Sequence, residues 1–101
     1  MKSYSLGLDV GTGGTRAVLI DKDGKVVSSA TRLHQGFASP QNGWAEQDPE
    51  DWWKAAANAV RECVTKAGID GQQVACVGLA GQMHGAVLLD ENDQVLRPAI
   101  I

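Results

Sequence analysis

The sequence DVGTGGTR at residues 9–16 decides the fold, because its glycine-rich turn joins two segments with strand character. Residues 4–10 and 15–20 are rich in apolar and β-branched side chains, and turn residues between two such runs predict an antiparallel hairpin. A second turn at residues 21–24 leads into residues 25–33, which are predicted as a third strand. The chain is therefore expected to open with three antiparallel strands, followed by a loop over residues 34–47.

The next element predicted from the sequence is a helix that begins after Asp48 and runs to Lys66 or Ala67. Asp48 is a good N-cap residue, Pro49 suits the first helical position, and Gly68 is placed to end the helix in a left-handed conformation. Apolar residues recur at steps of three and four and predict one buried stripe. That stripe comprises Trp52, Ala56, Ala59, Val60, Cys63, Val64 and Ala67.

The C-terminal third predicts one further strand and a hairpin. Residues 74–79 form a compact apolar run, which is expected of a strand buried on both faces. A strand–helix–strand crossover would place this run in the same sheet as the opening hairpin. Residues 86–89 and 95–96 flank a polar turn and predict a final hairpin. The expected fold class is therefore α/β.

Length, composition and charge narrow the function classes. A chain of 101 residues with 44% hydrophobic residues and a net charge of −3 fits at most one globular domain. No apolar run approaches the roughly 20 residues of a membrane span, and no basic cluster suits a nucleic-acid backbone. Asp9 precedes any apolar core of signal-peptide length, so we expect a cytoplasmic protein. Cys63 and Cys76 are then expected to be reduced thiols in the core.

Residues 9–16 also carry the main candidate for chemistry. Backbone amides in a tight glycine turn form an anion-binding nest, and the hydroxyl of Thr12 and the cation of Arg16 add donors suited to phosphate. Asp9 fits beside phosphate only if a metal lies between them, for which Mg²⁺ is the natural choice. The alternative is an ordinary glycine-rich hairpin with a capping Asp. A P-loop is excluded because a strand, not a helix, follows the turn, and the dinucleotide fingerprint fails because Arg16 stands where its third glycine belongs.

A second candidate lies at the far end of the fourth predicted strand, at residues 81–85. There an amide, a thioether and an imidazole, from Gln82, Met83 and His84, stand between two glycines and could line a polyol pocket. A structural role for His84 is the alternative. The chain's three tryptophans, Trp44, Trp52 and Trp53, could stack on a sugar, although core packing is the preferred interpretation for Trp52.

Three blocks of the sequence carry a family resemblance. The pattern Asp9-x-Gly11-Thr12-x-x-x-Arg16 resembles the first phosphate motif of sugar kinases with the actin-like, ribonuclease-H-like fold, in particular the family named for its Phe-Gly-Gly-Tyr motif, the FGGY kinases. Residues 43–49 resemble the loop before that family's first helix. Residues 78–90 look very like the members that act on D-xylulose, whereas glycerol kinases carry Arg-Glu in place of Met83-His84.

The resemblance implies an ATP-dependent carbohydrate kinase that phosphorylates D-xylulose to D-xylulose 5-phosphate in xylose catabolism. By the family pattern, Asp9 would hold Mg²⁺ through water, and the ATP phosphates would be bound by Gly11, Thr12, Gly13 and Arg16. Met83 and His84, together with Gln82, would contact the sugar. Gly13-Gly14 departs from the family pattern, since relatives often carry Ser or Thr there.

The resemblance also fixes the expected domain organisation. Residues 1–101 would form the N-terminal part of the first kinase domain, with the second lobe and the general-base Asp farther along a longer chain. The segment alone is then expected to be inactive. The expected partners are ATP and a small sugar, without nucleic acid or membrane, and the full-length enzyme could be a homodimer. The alternatives are a kinase for another sugar or polyol, such as ribulose or gluconate, and a non-catalytic phosphate-binding module.

Overall fold

The computed structural model describes residues 3–101 and places a four-stranded mixed sheet beside one long helix. The elements are β1 Tyr4–Val10, β2 Gly14–Ile20, β3 Val26–Leu33, β4 Glu46–Gln47, α1 Pro49–Ala67, a 3₁₀ turn Gly71–Gln73, β5 Val74–Gly81 and β6 Ala99–Ile100. The strand order in the sheet is β3-β2-β1-β5, and the two short strands, β4 and β6, form a separate pair.

The prediction of three antiparallel strands, followed by a crossover helix and a fourth strand in the same sheet, is confirmed. β1 and β2 pair antiparallel with Asp9 opposite Arg16, and β2 and β3 continue the antiparallel arrangement. β5 lies parallel to β1 with Val10 opposite Gly81, so the chain crosses over through α1 and returns to the same sheet. The two ends that carry candidate site residues, after β1 and after β5, therefore meet at one edge of the sheet.

The core lies between α1 and one face of the first three strands. Leu6 of β1 and Leu19 of β2 are direct partners in the ladder, and both lie in the core. Because alternate residues of a strand point to the same face, the core-facing residues of each strand recur at every second position. The fully or nearly buried members are Leu6, Ala17, Leu19, Ala30, Ala59 and Cys63. Along the helix, Ala55, Ala59 and Cys63 are buried at steps of four, whereas the predicted stripe members Trp52 and Ala56 are only half-buried. The stripe is thus centred about one position away from the prediction.

The helix ends are those that the sequence predicts. The Asp48 carboxylate accepts a hydrogen bond from the Glu50 backbone N–H at 3.0 Å, and Pro49 occupies the first turn. Gly68 has φ 67° and ψ 27°, the left-handed conformation in which its N–H reaches the last carbonyls of the helix. The N-cap fixes the start of the helix and therefore the position of Gln47, the residue directly before it.

The prediction that residues 74–79 are buried on both faces is wrong. Of the eight residues in β5, seven are exposed, including Val77 and Leu79, which are 53% and 77% exposed. The reason is that α1 packs over β2 and β3 and barely reaches β1, so no element among residues 3–101 covers β5. The same arrangement corrects the assignment of Cys76 to the core: Cys63 is buried, but Cys76 is exposed.

The predicted final hairpin is also wrong in its extent. Residues 86–96 form a polar turn at residues 90–93 and an isolated bridge between Leu89 and Val95, without regular strands. A two-stranded ribbon without a packed face has little to stabilise it. In the predicted loop, by contrast, Glu46 and Gln47 form β4, which pairs with Ile100 and Ala99 of β6.

Within residues 3–101, no helix combines the length and the apolar character that crossing a membrane requires.

Candidate functional site

The turn between β1 and β2 is a tight glycine loop. The Gly11 N–H donates to the Gly14 carbonyl at 2.9 Å, which closes the turn. A Cβ at Gly14 would lie 2.8 Å from the backbone oxygen of Arg32, so only glycine fits there without a backbone shift. A Cβ at Gly13 would meet no atom within 4 Å, which leaves the outer side of the turn open.

The tip of this turn offers backbone donors to solvent. Thr12 and Gly13 are exposed, and their backbone N–H groups have no acceptor among the described residues. The opposite side of the turn is anchored, because the Gly13 carbonyl accepts from the His34 backbone N–H at 2.9 Å. Fixed, unpaired amides of this kind bind anions. Two unpaired N–H groups at the tip of this turn, which Gly11 and Gly14 shape, are compatible with the predicted anion nest.

Asp9 and Arg16 stand side by side next to the turn. They are direct partners in the β1–β2 ladder, so both side chains project from the sheet face opposite α1, and both residues are exposed. They line an open groove of about 440 Å³ whose floor includes Gly7 and Gly78, where the lack of side chains lets a ligand approach the backbone. No ion pair joins Asp9 to Arg16, both of which are described residues.

This donor set suits a metal that arrives with phosphate. Among the described residues there is no cluster of three or more His, Cys, Asp or Glu side chains that would form a protein cage for a metal. Mg²⁺ is usually bound through one or two carboxylates, water and substrate phosphates. The single exposed carboxylate of Asp9 beside an anion nest fits that mode.

The loop after β5 lies against the same turn. The Gln82 N–H extends the β1–β5 ladder by donating to the Val10 carbonyl at 2.9 Å. The Thr12 hydroxyl then donates to the Gln82 side-chain oxygen, also at 2.9 Å. The structure thus brings together the two candidate groups predicted separately, at residues 9–16 and 82–84.

Met83 and His84 continue outward from this junction. Met83 is 79% exposed, and His84 is a non-glycine residue with φ 65°. Left-handed backbone is uncommon for such residues and is found where the surrounding structure or a function requires it. Both residues are exposed, so their side chains are accessible to a ligand.

Gln47 belongs to the candidate site, although no sequence pattern indicates a role for it. Its Nε2 donates to the Thr12 carbonyl at 2.7 Å, and its Oε1 accepts from Gln82 Nε2 at 3.2 Å and from Trp52 Nε1 at 3.0 Å. The signal that could have found it is its position directly before the helix cap, which places it on a fixed element. Trp52 is thereby held by a polar contact as well as by packing.

His34 is the second residue that sequence reasoning missed. It is buried, its Nε2 lies 2.7 Å from the Thr15 hydroxyl, and its Nδ1 lies 3.3 Å from the Thr12 carbonyl. It supports the turn from beneath. Of the other tryptophans, Trp53 is 70% exposed on α1 and Trp44 lines a separate groove with Arg97, whose guanidinium pairs with Glu46.

Known proteins resemble this chain along nearly its whole length. A family profile described as the FGGY family of carbohydrate kinases, N-terminal domain, matches residues 4–101. Xylulose kinases of Klebsiella pneumoniae and Escherichia coli are 44% and 42% identical to it over 95% of the chain, and the L-xylulose/3-keto-L-gulonate kinase of E. coli is 38% identical over all of it. The chain spans about a fifth of the length of these curated relatives.

Solved structures give the same result. The crystal structure of a kinase from Brucella ovis, described as a xyloylose kinase, matches 97% of this chain and 20% of its own with a TM-score of 0.91 at 42% identity. A gluconate kinase from Lactobacillus acidophilus matches 96% of this chain and 19% of its own with a TM-score of 0.85 at 33% identity. The predicted fold class, the actin-like α/β fold of sugar kinases, is confirmed by these likenesses.

Proposed function

The chain belongs to the FGGY family of carbohydrate kinases, and from this membership we propose that it is the N-terminal part of the first domain of an ATP-dependent kinase for D-xylulose. The observation that carries the proposal is the hydrogen bond between Thr12 and Gln82. It joins an open anion nest to a loop of sugar-binding character, so one edge of the sheet can hold both the group to be transferred and its acceptor.

On the phosphate side, each group has a distinct task. The unpaired N–H groups of Thr12 and Gly13 bind phosphate oxygens, and the guanidinium of Arg16 adds a charge-assisted donor. When Mg²⁺ accompanies ATP, it neutralises phosphate charge, and Asp9 is the residue that would hold it through water. Phosphoryl transfer depends chiefly on positioning and charge neutralisation, which are what these groups supply.

On the sugar side, Gln82, Met83 and His84 form the contact surface. Gln82 offers an amide within hydrogen-bonding reach of the turn, and Met83 and His84 are exposed on the outer side of the loop. An amide and an imidazole bind hydroxyl groups, while a thioether packs against the carbon skeleton. In the product, the 5-hydroxyl of D-xylulose carries the phosphoryl group.

In this proposal, the general base that accepts the proton of the sugar hydroxyl is an Asp in a part of the kinase beyond Ile101. Without a group that accepts the proton of the sugar hydroxyl, the isolated chain is expected to show no turnover. Measurable transfer by pure chain would contradict this assignment. The full-length enzyme is further proposed to be cytoplasmic and to act in xylose metabolism. A homodimer is the oligomeric state to test.

D-Xylulose is proposed as the substrate because proteins named xylulose kinase are 42–44% identical to the chain. The resemblance of residues 78–90 to kinases that act on D-xylulose supports the same choice. The rival substrates come from the same comparisons, since an L-xylulose/3-keto-L-gulonate kinase is 38% identical and a gluconate kinase 33% identical. A kinase for one of these substrates would use the same phosphate-binding groups and would differ in the sugar that accepts the phosphoryl group.

A sugar panel on the full-length protein tests the proposal. Purified enzyme with ATP and Mg²⁺ is offered D-xylulose, L-xylulose, D-ribulose, D-gluconate and glycerol, and ADP release is followed together with the phosphorus NMR spectrum of the product. We expect the highest kcat/KM with D-xylulose and a 5-phosphate product. Preference for another sugar would remove the D-xylulose assignment, and absence of turnover with every sugar would contradict the kinase proposal itself.

A further inference from the structure

Gln47 occupies a fixed and nearly enclosed position between the two halves of the site. It is 6% exposed, lies at the end of β4 opposite Ala99, and is followed at once by the N-cap of α1. Its side-chain amide makes three hydrogen bonds, to Thr12, Gln82 and Trp52. A buried amide on a rigid element with all of its partners nearby has little freedom to move.

The partners also fix which way the amide points. An indole N–H can only donate, so the Gln47 atom 3.0 Å from Trp52 Nε1 must be the oxygen. A backbone carbonyl can only accept, so the atom 2.7 Å from the Thr12 carbonyl must be the nitrogen. Both contacts agree, and a flipped amide would lose both.

The orientation of Gln47 is passed on to Gln82. Because Gln47 presents its oxygen, Gln82 must offer its NH₂ group there, at 3.2 Å, and its own oxygen then faces the Thr12 hydroxyl at 2.9 Å. The result is a closed ring of Thr12, Gln47 and Gln82. It connects residues that are 35 and 70 positions apart in the sequence.

Removal of Gln47 would open this ring on both sides. The Thr12 carbonyl would keep only its longer contact with His34, at 3.3 Å, and the Gln82 amide would lose the partner that sets its rotamer. The nest and the sugar-side loop would then be free to shift relative to each other. In reactions that depend on near-attack geometry, a displacement of about 1 Å can cost about 10²-fold in rate.

We propose that Gln47 is a positioning residue for phosphoryl transfer, which keeps the phosphate-binding turn and the sugar-binding loop in register through Thr12 and Gln82. The inference rests on the proposed function. Because Gln47 is nearly enclosed, its role in this proposal is exerted through these two residues rather than by contact with ATP or the sugar. Its loss should therefore lower kcat much more than it raises either KM.

The test compares Gln47→Met, Gln47→Glu and Gln72→Leu in the full-length enzyme. Met preserves the length of the side chain and removes all three hydrogen bonds. Glu keeps the acceptor for Gln82 and Trp52, but it loses the donor to Thr12 and places a carboxylate oxygen beside the Thr12 carbonyl. Gln72 is an exposed glutamine on the 3₁₀ turn and serves as the matched control. We expect kcat to fall about 10- to 100-fold in both Gln47 variants, with each KM within about threefold of wild type and no change in the control.

A double-mutant cycle separates positioning from general damage to the fold. If Gln47 acts through Gln82, Gln47→Met should cost less than about threefold in kcat when Gln82→Leu is already present, because coupled residues are not additive. An equal loss in both backgrounds, or a kcat of Gln47→Met close to wild type, would overturn the inference while leaving the kinase activity intact. Absence of sugar-kinase activity in the wild-type enzyme would instead overturn the proposed function, and this inference with it.

Discussion

The two halves of the sheet contrast sharply. β2 and β3 lie under α1 and bury Leu19, Ala17 and Ala30, whereas β5 forms the opposite edge with nearly every residue exposed. Each half contributes one part of the proposed site, the turn from the β1–β2 hairpin and the loop after β5. The covered half, β2 and β3, is stabilised by the core that it forms with α1. The exposed half, β5, is stabilised mainly by its ladder to β1 and by the hydrogen-bonded ring of Thr12, Gln47 and Gln82.

The difference predicts which half of the sheet would gain stability from further chain. An edge strand with exposed Val77 and Leu79 presents unpaired backbone groups and apolar side chains that other chain segments commonly cover. The relatives are about five times as long as the matched region, so they have further chain available for such a role. We therefore expect substitutions in the two halves to behave differently in the isolated chain and in the full-length protein.

The largest expected effect comes from a matched pair of leucines. Leu19 is fully buried and Leu79 is 77% exposed. In the isolated chain, Leu19→Ala should lower the free energy of unfolding by about 2–5 kcal/mol because it leaves a cavity, whereas Leu79→Ala should change it by less than about 0.5 kcal/mol. Urea titration monitored by circular dichroism measures both.

The same pair of variants in the full-length protein sharpens the comparison. If further chain covers β5, Leu79→Ala should become destabilising there while Leu19→Ala keeps its cost. In the isolated chain, Leu79→Ala and Leu19→Ala could instead lower the free energy of unfolding equally. That result would show that Leu79 is packed, and it would contradict the exposure of β5.

A smaller effect is expected at the turn that the two halves share. Gly14→Ala would place a Cβ 2.8 Å from the Arg32 backbone oxygen, and the resulting overpacking should cost about 1–3 kcal/mol. Gly13→Ala meets no atom within 4 Å and is the matched control, with a change below about 0.5 kcal/mol. Equal thermal stability of the two variants would contradict the close approach of β2 and β3 at this point.

The smallest expected effect is measured without a substitution, because one cysteine belongs to the core of the covered half and the other lies on β5. Cys63 is a buried residue of α1 whose sulfur lies 3.1 Å from the hydroxyl of Ser28 on β3, and Cys76 is exposed on β5. A thiol reagent should modify Cys76 at least about tenfold faster than Cys63, since Cys63 reacts only when the structure opens. Mass spectrometry of the peptides gives the two rates, and equal rates would remove the contrast between the halves.

The local sequence was sufficient to predict the hairpins at the N-terminal end and the helix. The glycine turn, the Asp48-Pro49 cap and Gly68 are signals contained within a few residues, and the structure confirms the elements they predict. The apolar run of β5 indicated a strand correctly, but its burial depends on what packs against it, which no local pattern contains. The same limit explains the exposed Cys76.

The sequence indicated the candidate site only as two separate groups of residues. Asp9 and Arg16 follow from the turn pattern, and Gln82 from the end of a strand. The roles of Gln47 and His34 arise from hydrogen bonds to residues 35 and 22 positions away, which depend on how β4 and the end of β3 are placed around the turn. A lone glutamine or histidine in a loop carries no signal of such contacts.

The central claim is that this segment carries a phosphate half-site and a sugar half-site of one kinase. The most direct measurement is the steady-state kinetics of the full-length enzyme with Arg16→Gln and His84→Ala, varying ATP and D-xylulose in turn. Loss of a hydrogen bond to a charged group costs about 1.5–3 kcal/mol, so Arg16→Gln should raise the KM for ATP about 10- to 100-fold and leave that for D-xylulose nearly unchanged. His84→Ala should raise the KM for D-xylulose by a smaller factor and leave the KM for ATP nearly unchanged. Equal effects of both variants on both KM values, or no effect of either variant, would contradict the claim.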